Sequence, residues 1–181
     1  MKSSRAYTVT VDPGIQTMGW CVWSGWLNRG SALCGPPIHA GQVKRIKTKR
    51  GASNNADLVK LLMEKLQEGT YGIADIVEVV VEEPAYFGGL AGQSAAVRGD
   101  LTGLALCVGA VAQWAWWMDA KLTLAPVGQW KGNMSKQVVE KRIIKHFTRL
   151  KEFKPLIAVM SEDRGHDWDA CGIGLWRRGV L

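Results

Sequence analysis

An α/β fold, with a mixed central sheet flanked by helices on both faces, is predicted by three features of this 181-residue sequence. Residues 7–11, YTVTV, alternate with a period of two and are rich in β-formers, as a half-buried strand requires. Residues 76–84, IVEVVVEEP, form an almost continuous apolar run closed by two acids and a proline, the pattern of a central strand covered on both faces. Between and after these strands lie segments with helical apolar spacing, so strands and helices interleave along the chain.

Strand 7–11 is followed by GWCVWSGWL, 19–27, read as its hairpin partner with Cys21, Trp23 and Leu27 as the apolar positions. A third extended piece runs through AGQVKRIKTK, 40–49. Asn54 is placed to cap a helix over 55–68, with Asp57 three residues on as its capping-box partner. That helix carries Leu58, Leu62 and Leu66 on one stripe, with Val59 and Met63 beside it, and GTYG ends it. After strand 76–84 a helix is predicted over 94–118, then a short strand at LTLAPV, 122–127. Residues 135–150 form a basic amphipathic helix with Val139, Ile143, Phe147 and Leu150 on its buried side. The last helix runs over 164–177 and stops before Gly179. No repeat and no interdomain linker is evident, so one domain is predicted over 1–181.

Charge narrows the function. Lys and Arg number 23 against 16 Asp and Glu, a formal charge of +7, which favours a polyanionic partner and says nothing about fold. The four cysteines, at 21, 34, 107 and 171, have no CxxC pair or compact ligand spacing, which points to a reduced intracellular protein. The longest apolar stretch, LALCVGAVAQWAWWM at 104–118, is too short for a spanning helix, and Asp12 interrupts the only apolar segment near the start. A cytoplasmic protein without a membrane partner is expected.

Asp12 closes the first strand, and Glu82 or Glu83 closes the most apolar one. Asp12 before Pro-Gly also suits a simple turn. A carboxylate at a buried strand end is costly unless it is paired or binds metal. Parallel neighbours would bring their C-terminal ends to one edge of the sheet, where α/β folds commonly place ligands. In EDRGHDWDACGIGLW, 162–176, His166 and Asp169 are three apart and share a helix face that Ala170 and Ile173 continue towards the core. Asp167 points about a quarter-turn away. Carboxylates with one imidazole suit Mg²⁺ or Mn²⁺, or the imidazole acts as an acid–base or water-orienting group. They do not suit a structural zinc site.

In order and spacing, VDPGIQTMGWCV, VVVEEP, KGNMSKQVV and HDWDA resemble the four signature stretches of the RuvC-like Holliday-junction resolvases, of the ribonuclease-H-like superfamily. The resemblance covers residues 7–178. It implies a ribonuclease-H-like fold and a homodimer that cuts four-way DNA junctions by paired, symmetric phosphodiester hydrolysis. The cofactor it implies is two Mg²⁺ or Mn²⁺ ions per site, with no small-molecule cofactor. Asp12 then corresponds to the ligand shared by both metals, and Glu82 and Asp169 to further ligands. His166 is either a ligand or the group that holds the attacking water. Glu83 is the second choice for the role of Glu82. Lys136 matches the phosphate-side lysine, with Lys131 as a companion.

Further DNA contacts are expected from Lys44, Arg45, Lys47, Lys49 and Arg50, because backbone contacts need charge and reach rather than base information. Either Tyr86 or Phe87, in the glycine-rich stretch after the glutamate, is expected to stack at the branch point. The helix over 94–118 is apolar nearly all round, with Leu101, Leu104, Leu106, Val108, Val111, Trp114, Trp117 and Met118. It therefore needs a second surface to bury it, and the resemblance implies the dimer partner. Ala95, Gly99 and Gly103, four apart, would admit a close second helix. Two rival readings keep the fold: a nuclease acting on RNA–DNA hybrid or other branched DNA, and a non-catalytic branched-DNA binder. A bacterial cell or phage-infected host is the expected setting.

Overall fold

In the computed structural model, the described residues are 6–25, 35–45, 47–48, 51–52, 55–68, 75–84 and 100–181. Strands β1 (Tyr7–Asp12), β2 (Thr17–Ser24) and β3 (His39–Lys44) form an antiparallel meander. Strands β4 (Lys47–Thr48) and β5 (Gly51–Ala52) pair with each other in a separate two-stranded ribbon. β6 (Ile76–Glu83) lies parallel to β1, and β7 (Lys121–Pro126) parallel to β6, giving the sheet order β3-β2-β1-β6-β7.

The helices are α1 (Asn55–Glu68), α2 (Asp100–Trp117), α3 (Val127–Trp130), α4 (Lys136–Arg149), α5 (Phe153–Val159) and α6 (His166–Arg177). The strand period decides which helices cover which face. Val9, Val11, Val79 and Val81 join one core with Leu58, Leu62, Cys107 and Val111 of α1 and α2. On the opposite face Val80 joins Trp23, Trp130, Ile143, Phe147 and Ile173, the core under α3, α4, α5 and α6. Apolar residues on both sides of β6 therefore serve two separate cores.

Several boundaries differ from the sequence expectation. The extended piece expected over 40–49 is divided: β3 ends at Lys44, with the Arg45 N–H still bonding Gln16 O at 2.8 Å, and Lys47–Thr48 pair instead with Gly51–Ala52. The last helix starts at His166 rather than 164, because Arg164 takes a left-handed conformation (φ 48°). Helices α3 and α5 were not anticipated. Pro155 lies in the first turn of α5, where a missing N–H costs nothing. The start of the helix expected from 94, with Ala95 and Gly99, lies outside the described residues, as do Leu27, Cys34 and Asn54. Cys21, Cys107 and Cys171 are buried free thiols. Among the described residues no helix is long and apolar enough to cross a membrane.

Candidate active site

Val11 and Val81 pair across β1 and β6, and the next residue on each strand is an acid, Asp12 and Glu82. Both belong to the residue set that faces α6. Two positions before Asp12, Thr10 Oγ1 donates to Ala170 O of that helix at 2.8 Å. Four before Glu82, Glu78 accepts from Arg177 near its end. Alternation turns Glu83 towards the other face.

The first turn of α6 completes the cluster. His166 Nδ1 lies 2.6 Å from Asp12 Oδ2. One turn further, Asp169 Oδ1 accepts from Lys131 Nζ at 3.3 Å. Lys131 follows directly after α3, its ammonium 5.2 Å from the centre of the Trp130 ring. Trp130, almost wholly buried, donates its indole N–H to Glu82 Oε2 at 3.1 Å. Each acid thus has a different donor: imidazole, indole and ammonium.

These partners do not meet the charge of the cluster. Burial raises the Asp12 carboxyl above its ordinary range and Asp169 adds to this, against the pull of His166 and Lys131. Glu82 is pushed up to about 8, first by burial and then by the charges of Asp12 and Asp169, with Lys131 and Trp130 opposing. His166 is raised by its bond to Asp12, against burial and the charge of Lys136. Asp12 and Glu82 are therefore both held above the ordinary carboxylate range by burial and by neighbouring negative charge, which favours their protonated forms unless a cation binds. Among the described residues no three His, Cys, Asp or Glu side chains are already grouped around a metal position. The chemistry of the donors nevertheless fits a hard divalent cation: three carboxylates and one imidazole, with more negative charge than Lys131 and His166 offset.

Lys136 opens α4, half-buried and close enough to His166 for its charge to be felt there. Lys131, the companion in the sequence reading, makes the direct contact with an acid. Lys44 is exposed at the end of β3, 3.8 Å from Asp163. Arg45 is half-buried beside it, and Lys47 lies in the β4–β5 ribbon. Lys49, Arg50, Tyr86 and Phe87 lie outside the described residues. A cavity of about 450 Å³ lined by Arg142, Lys145, His146 and Arg149 sits at the C-terminal ends of α4 and α6, far along both helices from the acids.

Sequence reasoning missed Trp130. Its one signal was a tryptophan beside a lysine, and a buried indole N–H needs an acceptor. Asp167, a quarter-turn from His166, was given no role from the sequence.

A mixed sheet with three antiparallel strands, two parallel additions and helices on both faces is the ribonuclease-H-like fold. Solved structures with this architecture match nearly the whole chain. Thermus thermophilus RuvC aligns with a TM-score of 0.58 at 17% identity, covering 93% of this chain and 91% of that one. The same protein in complex with a Holliday junction substrate gives 0.58 at 17% identity, covering 93% and 90%. The Fowlpox virus resolvase, in complex with Holliday junction DNA, gives 0.57 at 11% identity, covering 96% and 99%. The likeness is one of fold. No family model matches the sequence, and no curated protein matches it.

Proposed function

We propose that this protein is a metal-dependent, structure-selective DNA endonuclease that resolves four-way junctions by paired, symmetric cuts. The observation that carries the reading is the meeting of Asp12 and Glu82, from adjacent parallel strands, with His166 and Asp169 from one turn of α6. Such convergence costs stability and is of little use to a protein that merely binds DNA, since acids repel phosphate. The fold neighbours include two resolvases solved with Holliday junction DNA, which supports the substrate class.

Asp12, Glu82 and Asp169, with His166 as a ligand or a water-holding group, would hold one or two Mg²⁺ or Mn²⁺ ions. Bound there, such ions supply a nucleophilic water at neutral pH and stabilise charge on the leaving oxygen. The residues of the chain orient the substrate. Lys131 and Lys136 flank the acids and offer positive charge to the scissile strand, and free N–H groups at the start of α4 suit a neighbouring phosphate. His166 Nδ1 is held by Asp12, which leaves Nε2 to orient a water or accept its proton. Two sites acting on opposed strands require two chains, and the uncovered apolar face of α2 is the surface we assign to their contact.

The test compares end-labelled four-way junction, three-way branch, linear duplex and RNA–DNA hybrid with Mg²⁺ or Mn²⁺. Nicks on two opposed strands near the branch, with the duplex largely uncut, are expected. Equal or faster cutting of the hybrid would move the reading to a hybrid nuclease. Junction binding without a metal-dependent product would leave a binding protein.

A further inference from the structure

Asp167 lies between His166 and Asp169 yet turns away from the acids. It is fully buried, which is costly for a carboxylate without partners. Its oxygens are taken up by the loop that precedes α6 and by an edge strand. Oδ2 accepts the backbone N–H of Ser161 at 2.7 Å, and Oδ1 accepts the Ser161 hydroxyl at 2.6 Å. Gln42 Nε2, from β3, lies 3.2 Å from Asp167 Oδ1 and 2.9 Å from both Ser161 Oγ and Asp163 Oδ1. Ser161 O in turn accepts from Trp168 Nε1 at 3.1 Å. The N–H, hydroxyl and carbonyl of Ser161 are thus all bound to the first turn of α6.

The same turn is pressed against the sheet from below. A Cβ on Gly19 of β2 would collide with the carbonyl of His166, and one on Gly165 with the amide of Gln42. Cys21 Sγ donates to Asp167 O at 3.3 Å. Above this clamped backbone, His166 has 42% of its side chain exposed, so the backbone beneath it sets the direction of the ring.

We propose that Asp167, together with Ser161 and Gln42, is a positioning device that fixes the first turn of α6, so that His166 meets Asp12 and Asp169 meets Lys131. Asp167 is a positioning residue, not a catalytic one, because it reaches the site only through the backbone it anchors. The consequence for cleavage rests on the nuclease reading above. The geometric part does not.

The experiment follows the strongly hydrogen-bonded proton between His166 and Asp12 by NMR in the metal-free full chain, assigned by its loss in Asp12→Asn. Single-turnover cleavage and junction affinity are measured in parallel. Ser161→Ala keeps every charge and Asp167→Asn keeps the shape. Ile143→Val, in the core under α4, serves as a control for general loss of stability. Ser161→Ala and Asp167→Asn should shift or broaden the resonance and slow cleavage by about a hundredfold, the scale of a small misplacement, with junction affinity within about twofold. Ile143→Val should leave the resonance in place. If Asp167→Asn does not fold, Ser161→Ala and Gln42→Ala, which only trim the network, carry the test. A resonance at the parent position in the Ser161 and Gln42 variants, with parent cleavage rates, would overturn the proposal. A displaced resonance in a parent chain that cuts no nucleic acid would uphold the positioning role and defeat the nuclease reading instead.

Discussion

Glu82 carries a proton that water would remove. Its carboxyl titrates at about 8 against an ordinary 4.5, so between these values the folded chain binds a proton that the unfolded chain releases. Metal-free stability should therefore fall as pH rises through that window. Asp12 and His166, both raised, act in the same direction: the stability His166 gains from Asp12 is full below its ordinary 6.5 and is lost as pH rises through its folded value. Glu82→Gln keeps the volume and removes the titration. In chelator, the variant should melt at a higher temperature than the parent at pH 8, with the gap closing towards pH 5. The expected size is on the order of a few kcal/mol at the upper pH. A gap that stays constant across the range would refute the shift.

Among the elements, β6 and α6 are joined by charge at the end remote from the site, while at the site end Glu82 and Asp169 repel each other. At the far end Glu78, wholly buried in β6, accepts from Arg177 Nη2 at 2.9 Å and Nε at 3.1 Å, and from Thr123 Oγ1 at 2.8 Å. Lys121 Nζ, half-exposed and 3.8 Å away, is a weaker second cation, so removing Arg177 leaves the buried charge under-compensated. Arg177→Met should cost about 3–5 kcal/mol in urea unfolding, whereas Glu78→Met with Arg177→Met should recover most of that loss. A double variant as unstable as the single one would contradict the account. The elements also show what was legible in the sequence. β1 and β6 were legible because strand alternation and apolar runs are local patterns, and His166 and Asp169 because three-residue spacing defines a helix face. α5 was hidden by Pro155, and α3 by its four-residue length. The partners of the acids were hidden for another reason: Trp130 lies 48 residues from Glu82, and Gln42 lies 119 from Ser161. No local pattern encodes which distant side chain satisfies a buried carboxylate.

At the scale of the whole molecule, the two faces of the sheet are unequally finished. The face under α4, α5 and α6 is covered by packed helices. On the other, α2 buries Cys107, Val111, Trp114 and Ala115 against the sheet and α1, but leaves Leu106 61%, Trp116 73% and Trp117 69% exposed. Leu106 and Trp117 are eleven residues apart, three helical turns, and so share one outward face. Val108 instead packs partly against the core. An exposed apolar strip of this kind suits the interface between two chains proposed above. Light scattering at micromolar concentration should give twice the 19.9 kDa of one chain, and Leu106→Arg should shift the population to monomer while leaving the melting of the monomer intact. A monomer across that range without DNA would defeat this assignment.

We propose the acids at the ends of β1 and β6 as a cation-dependent centre for phosphodiester hydrolysis. Asp12 tests this proposal most directly, because it touches His166 and is electrostatically coupled to both Glu82 and Asp169. The measurement is single-turnover cleavage of an end-labelled four-way junction in Mg²⁺ by the parent chain and by Asp12→Asn, at protein concentrations that saturate junction binding in both. The parent should cut two opposed strands near the branch, and Asp12→Asn should be slower by about a thousandfold or more with junction affinity retained. Cleavage by Asp12→Asn within tenfold of the parent would contradict the account.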